Sequence, residues 1–414
     1  MLIPKSLLAL LIISSVGVTG VQDVKDSSIG GFFRGVWNKV TGAVLPSKSS
    51  VTSLVSTVGT CTVTKDKGWY DESLGNFTIS DDSPYCDPNC TRSAVCCAPQ
   101  KPDEVQINFF HFDQRNMSYV LNLTGDPESA RLVQQNKHLV WFIHGFSDNM
   151  FKNPTFNLTK DAFLKRGYDV VQVDWSGGNL EYFQALANIR LVGAMTGRMI
   201  KNYGVTKTST CVGFSLGGHV CGEVGSWIKE RGQVLSRCIG IDPAGPGFDG
   251  CSNKVRLDKD DCGLVTSIHT SQFEGLGTLI SNEGLGTKEK TGQCDFWAND
   301  GQDQPKCSSN IFTKSCSHAR GLDYFLSQVS KKCNFIGHEA ECGAGEDCVR
   351  VNNGTSKSEK EAFQPTGGWR RSDGRMGPDG KKMLTKMPIP PDDLCTPDYD
   401  MDYQFDTKAD PPYC

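Results

Sequence analysis

Residues Cys211 to Gly222 read CVGFSLGGHVCG, and this stretch confines the chain to few architectures. A β-branched, strand-like run leads directly into Gly213-Phe214-Ser215-Leu216-Gly217, a G-x-S-x-G pattern, and a helix-like run follows. A serine in that setting sits on a sharp strand-to-helix turn, where flanking glycines let the backbone reverse without a Cβ clash. The turn lifts the hydroxyl above the sheet and aims the amide of Leu216 at the position where an oxyanion would form. The pattern alone is weak: with 44 glycines among 414 residues and serine at an ordinary ~7%, about 0.3 chance matches are expected. A base, an orienting acid and a second oxyanion donor must come from elsewhere in the chain.

The surrounding texture is that of an α/β domain. Strand-like runs occur at Val105–Phe112, Tyr119–Leu123, Leu139–Ile143, Val170–Val173, Thr208–Val212, Arg237–Ile241 and Leu264–His269, with helix-like runs including Leu180–Tyr203 and Leu216–Glu230. The apolar run Leu139–Ile143, and the largely apolar Val170–Val173, suit strands covered on both faces. Short strands alternating with helices predict a mostly parallel central sheet flanked by helices, with the active site at the carboxyl ends of the strands.

A serine hydroxyl needs a positioned base. The chain has seven histidines: His111, His138, His144, His219, His269, His318 and His338. In an α/β-hydrolase the order is serine, acid, histidine, which leaves His269, His318 and His338. His219 lies one turn into the helix after Ser215, which suits a packing role. Asp242 follows the apolar strand CIGI, where a carboxylate at a strand's carboxyl end could hold a histidine tautomer; a turn-forming aspartate before Pro243 reads equally well. The strand ending in His144-Gly145-Phe146 could bring the Phe146 amide opposite that of Leu216 as the second oxyanion donor, or His144 and Gly145 could simply shape a tight turn.

Residues 1–20 have the form of a signal peptide, with one lysine and an apolar run from Leu7 to Ile13, too short for a stable bilayer span. No later segment has the ~20 apolar residues of a membrane helix, so the chain reads as secreted and without a transmembrane segment. Eighteen cysteines in an outward-routed chain imply a disulfide framework. The sequons at Asn76, Asn89, Asn116, Asn122, Asn157 and Asn353 mark candidate glycan sites. A net charge of −4 without basic blocks argues against nucleic acid. Residues 21–60 are polar, with an apolar helical face from Phe32 to Val44 that fits a pro-segment, a docked helix or an interfacial helix. The main domain spans 61–333, and 334–414 form a cysteine-containing, partly flexible tail.

Six motifs occur in order: WFIHGFSDN, GFSLGGH, IDPAGPGF, VRLDKDD, SIHTS and CSHARGLDYF. Together they resemble the secreted pancreatic-type lipases and their arthropod phospholipase A1 relatives, over about Val105 to Cys333. The resemblance implies an α/β-hydrolase fold with Ser215 as nucleophile, Asp242 as orienting acid and His318 as base. It also implies a structural calcium held by Asp258, Asp261 and the Arg256 carbonyl, with Asn253 standing where the family often has a glutamate; a solvated acidic turn is the plain alternative. No cofactor is required.

The family's lid would lie between Cys307 and Cys316, where SSNIFTKS is too short for a sizeable helical flap. Short lids accompany phospholipase A1 activity in the family. The long segment Ser271–Gln293 points instead towards triacylglycerol lipases, and residues 334–414 are too few and too poor in alternating strands for the family's lipid-docking β-sandwich. The expectation is a secreted serine hydrolase acting on glycerolipid acyl esters at a lipid–water interface, with sn-1 phospholipase A1 cleavage favoured over triacylglycerol hydrolysis. The alternative from another class is a non-catalytic lipid-binding or yolk-type storage protein on the same scaffold. Cys307–Cys316 and Cys251–Cys262 are the expected disulfides from proximity and loop logic, with Cys211 and Cys238 buried and unpaired.

Overall fold

A computed structural model of the chain describes residues 67–80, 83–86, 97–121, 131–133, 138–151, 153–272, 284–307, 311–333, 335–341, 349–350, 385–386, 401–405, 407–408, 411 and 413. The signal-like segment, the polar stretch to residue 60 and the Phe32–Val44 face lie outside these residues.

A small hairpin, β1 (Tyr70–Asp71) and β2 (Gly75–Asn76), precedes the main sheet. The sheet is then built by β3 (Asn108–Phe112), β4 (Ser118–Val120), β5 (Leu139–Ile143), β6 (Asp169–Asp174), β7 (Ser209–Phe214), β8 (Arg237–Ile241), β9 (Val265–His269) and β10 (Cys294–Ala298). Four strands drawn from beyond residue 335 join it: β11 (Ile336–Glu341), β12 (Val349–Arg350), β13 (Thr385–Lys386) and β14 (Met401–Phe405). The order is β12-β11-β14-β10-β9-β8-β7-β5-β6-β3-β4, with β13 paired to β11. Neighbours from β14 through β10, β9, β8, β7 and β5 to β6 are all parallel. Antiparallel strands close both edges.

Period-two alternation sends the two faces of each strand into separate cores. Trp141, Ile143, Val171, Val173 and Cys211 pack on one side with helices α3 (Tyr182–Asn202) and α4 (Leu216–Lys229). Val140, Phe142, Val170, Val212, Ile239 and Ile268 pack on the other, with α2 (Pro154–Lys165) and α5 (Ile311–Val329). A one-turn helix α1 (Pro102–Val105) precedes β3. All five residues of β5 are buried. At about 1.5–3 kcal/mol per buried large apolar side chain, such a run is stable only in the middle of a two-faced sheet. Helix α2 is capped by Asn153, whose side chain accepts from Thr155 N–H at 3.0 Å, with Pro154 in the first turn.

The cysteines depart from expectation. Cys307–Cys316 forms, but Cys262 joins Cys238 rather than Cys251, and Cys211 joins Cys221. The register explains this: Cys211 and Cys238 lie side by side on β7 and β8, on the face that packs against α4. There Cys211 meets Cys221 of α4, and Cys238 meets the loop that crosses beneath the helix. Cys251 lies in a separate small cluster with Val255. Beyond residue 333, β14 inserts beside β10 and Tyr413 is buried against Tyr324, ring centroids 5.3 Å apart. No helix among the described residues is long and apolar enough to cross a membrane. Asn76 and Asn116 are exposed and Asn157 is half-buried, while Asn89, Asn122 and Asn353 lie outside the described residues.

Candidate active site

The turn between β7 and α4 is as tight as the motif predicts. Ser215 has φ 56° and ψ −122°, a left-handed conformation costly for a residue with a Cβ. A Cβ at Gly213 would overlap the Gly217 carbonyl, and one at Gly217 the Ile143 carbonyl, so neither position admits a side chain. The strain is held by Ser215 N–H donating to the Ile241 carbonyl at 3.0 Å and by Gly218 N–H donating to the Ser215 carbonyl at 3.0 Å. Ser215 retains 8% exposure.

One strand over, Asp242 follows β8 with φ 42°. Its Oδ2 accepts from His318 Nδ1 at 2.6 Å and from Ser271 Oγ at 2.5 Å; its Oδ1 accepts from Thr270 N–H at 2.6 Å and Ser271 N–H at 3.2 Å. Burial on its own would raise this carboxyl. The hydrogen bond and charge of His318, with the Ser271 and Thr270 bonds, outweigh it and hold Asp242 below the usual carboxylate range. The His318 ring lies against Phe214, the residue before Ser215, with centroids 4.7 Å apart. The structure thus pairs Asp242 with His318 and sets the His318 ring beside the residue that precedes Ser215.

The other candidate bases have other partners. His269 is fully buried, with Nε2 2.7 Å from Asp295 Oδ1 and its ring stacked on Trp297 at 3.8 Å. His338 is on β11, five strands from β7, roughly 24 Å at the ~4.8 Å strand spacing. His219 accepts from Leu257 N–H at 3.0 Å through Nδ1, donates to the Ala244 carbonyl at 2.7 Å through Nε2 and stacks on Phe248, the packing role expected of it.

Phe146 follows a turn pressed against the serine: a Cβ on Gly145 would stand 2.7 Å from Ser215 Cβ. That turn is braced by Asn179, whose side-chain amide donates to the Gly145 carbonyl at 3.0 Å and the Asp148 carbonyl at 3.2 Å. His144 beneath it bonds Asp174 and lies parallel to the Trp175 ring. Leu216 opens α4, where first-turn N–H groups lack intrahelical acceptors.

A family model described as "Lipase" matches residues 71–345, about two thirds of the chain. The chain belongs to the Lipase family. Pancreatic lipase-related protein 2 of Cavia porcellus is 30% identical over 275 residues, covering 64% of this chain and 60% of the relative. Pancreatic triacylglycerol lipase of Homo sapiens is 29% identical over 289 residues, with the same coverage. The chain therefore spans about 60% of the length of these relatives. Among solved structures, a predicted CIB-like hydrolase of Thermoplasma acidophilum is 15% identical with a TM-score of 0.26, covering 42% of this chain and 74% of that one. The esterase Pf2001 of Pyrococcus furiosus is 16% identical with a TM-score of 0.22, covering 35% and 52%.

In this Lipase-family chain the expected calcium loop does not present a preformed cage. Both Asp261 oxygens are taken by protein donors: Ser226 Oγ at 2.6 Å and Asp258 N–H at 2.8 Å. Burial, with the charges of Glu223 and Asp258, pushes the Asp261 carboxyl up to about 8. The Arg256 guanidinium pairs with Glu289 at 3.1 Å. Among the described residues no group of three or more His, Cys, Asp or Glu is placed to hold a metal ion. Asp261 ties the loop to α4 through Ser226, while Asp258 Oδ1 accepts from Asp260 N–H within the loop.

Three residues that sequence reasoning gave no role complete the site, although Ser271 ends the SIHTS motif. Ser271 caps the acid. Gly286, on the returning limb of the Ser271–Gln293 segment, donates its N–H to the Ser271 carbonyl at 2.6 Å and has no room for a Cβ beside Asp242. Gln304, 1% exposed, donates through Nε2 to the Thr270 carbonyl at 3.0 Å and the Ala298 carbonyl at 2.7 Å, and through its backbone N–H to Ser317 Oγ at 3.0 Å. Its Oε1 accepts from Tyr324 Oη at 3.0 Å and Asn299 Nδ2 at 2.6 Å. Gln304 thereby joins the loop under Asp242 to the helix carrying His318. Helix α5 begins at Ile311, inside the Cys307–Cys316 span, so His318 sits within the helix.

Proposed function

We propose that this chain is a secreted serine hydrolase of glycerolipid acyl esters, working at a lipid–water interface through Ser215, Asp242 and His318. The observation that carries the reading is the buried Asp242–His318 pair at 2.6 Å, set against the strained Ser215 turn in a Lipase-family chain. His318 Nε2 takes the Ser215 proton as Oγ attacks the ester carbonyl carbon. The Asp242 carboxylate holds the Nδ1–H tautomer and stabilises the imidazolium that forms. The amides of Phe146 and Leu216 receive the oxyanion, each worth about 10²–10³ in rate. His318 then protonates the leaving alcohol, and water resolves the acyl-enzyme by the same steps in reverse. Only side-chain and backbone groups act, and no step passes through a metal.

We further propose sn-1 cleavage of phospholipids ahead of triacylglycerol hydrolysis, with 61–333 as the catalytic unit. The Cys307–Cys316 bond, closing across nine positions, supports this preference by restricting the segment that would otherwise cover the site. The test is fatty-acid release from phosphatidylcholine and from triolein, with Ser215→Ala as control. Serine-dependent release, chiefly from the sn-1 position of phosphatidylcholine, is expected. Release chiefly from triolein would overturn the preference, and release from neither would overturn the reading.

A further inference from the structure

Nothing in the nucleophile motif or in the order serine, acid, histidine calls for a fourth polar side chain, yet Ser271 meets both members of the acid–base pair. Its Oγ is fully buried, 2.5 Å from Asp242 Oδ2 and 3.3 Å from His318 Nδ1. A hydroxyl carries one hydrogen, and two destinations are within reach. Donation to Asp242 strengthens the carboxylate clamp. Donation to His318 Nδ1 would favour the tautomer protonated on Nε2, which cannot take a proton from Ser215.

The backbone decides between them. Leu285 N–H reaches Ser271 Oγ from 3.4 Å, and Gly286 N–H, which donates chiefly to the Ser271 carbonyl at 2.6 Å, also reaches it from 3.1 Å. With these donors on the lone-pair side of Oγ and Asp242 Oδ2 nearer than His318 Nδ1, the hydrogen is directed to Asp242 Oδ2. The limb that supplies these donors is held in turn by Gly245 N–H to the Leu285 carbonyl at 2.9 Å and Thr287 N–H to the Pro243 carbonyl at 2.6 Å. Four donors then fall on two carboxylate oxygens, and the plane of Asp242 cannot turn away from His318.

We propose that Ser271 is a positioning residue for the reaction, fixing the Asp242 carboxylate and excluding the non-productive tautomer of His318. The proposal rests on the hydrolase reading above. Its test is steady-state hydrolysis of a soluble short-chain ester by wild type, Ser271→Ala, Ser271→Cys and Ser215→Ala, with melting temperatures. The low-field proton resonance of the histidine–carboxylate pair is recorded alongside. Ser271→Ala is expected to lower kcat by about tenfold to a hundredfold, the loss of one hydrogen bond to a charged group, with KM within threefold and the resonance displaced. Ser271→Cys, which retains a weak donor, should recover part of kcat. Wild-type kcat and an unmoved resonance in Ser271→Ala would overturn the proposal. So would equal losses in both variants accompanied by a fall in melting temperature, which marks packing alone. Undiminished hydrolysis by Ser215→Ala would instead remove the underlying reading, whatever the Ser271 variants do.

Discussion

Replacing Gly286 with alanine tests whether the returning limb sets the geometry of the acid. The Gly286 backbone tolerates alanine, since its φ is outside the left-handed region. The added methyl, however, would stand 2.7 Å from Asp242 Cγ and 2.9 Å from Oδ2, with Oδ1 nearer still. Carbon and oxygen rest at about 3.5 Å, so the limb or the carboxylate must move by close to an ångström. The limb is held by the Thr287-to-Pro243 and Gly286-to-Ser271 hydrogen bonds, both 2.6 Å, and Asp242 by four donors, so neither yields without breaking bonds. A misplacement of about 1 Å typically costs about 10²-fold in rate, and full loss of the orienting acid about 10⁴-fold. Gly286→Ala should therefore lower kcat by 10²- to 10⁴-fold. The assay is hydrolysis of a soluble ester, with melting temperature measured in parallel to confirm folding. Activity within threefold of wild type would refute the argument, because the acid would then have absorbed the methyl without consequence.

Gln304→Leu should destabilise strongly, because it strands the Thr270 and Ala298 carbonyls in the interior. At about 1–3 kcal/mol for each stranded group, a loss of roughly 2–6 kcal/mol is expected by denaturant titration, and an unchanged midpoint would contradict it. Asp249 is buried beside Thr287, and burial, with the nearby Glu289 charge, lifts its carboxyl to about 7. The native state keeps that proton to about pH 7 while the unfolded chain releases it near pH 4, so stability is present below pH 4 and lost as pH rises through 7. Asp249→Asn should flatten that decline, gaining up to about 4 kcal/mol over wild type at pH 8 and little at pH 4. Parallel stability–pH curves for the two proteins would refute it.

Much of the site was legible in local sequence. The glycines around Ser215 announce a turn that no Cβ could join, and the residue after β8 proved to be the acid partner of a histidine. The runs Leu139–Ile143 and Arg237–Ile241 are strands at the predicted boundaries, since a short apolar run between polar flanks has one stable use in a two-faced sheet. Strand β10 and helix α2 carried weaker signals. Helix α2 rests on the Asn153 cap and Pro154, and β10 contains the buried Asp295 whose partner, His269, is on another strand.

What the chain determines by itself is periodicity and local chain reversal: which segments are strands, where the nucleophile turn falls, and which faces must be buried. Those follow from side-chain alternation and from backbone sterics, both of which act within a few residues. Spacing by itself did not separate His318 from His269 as the partner of Asp242. Tertiary structure alone decided that Cys238 takes Cys262. It also decided that Ser271, Gly286 and Gln304 close around the acid and that β14 completes the sheet beside β10. These are adjacencies between segments far apart in sequence, and neither composition nor spacing encodes which buried hydrogen-bond donor will come to lie beside which acceptor.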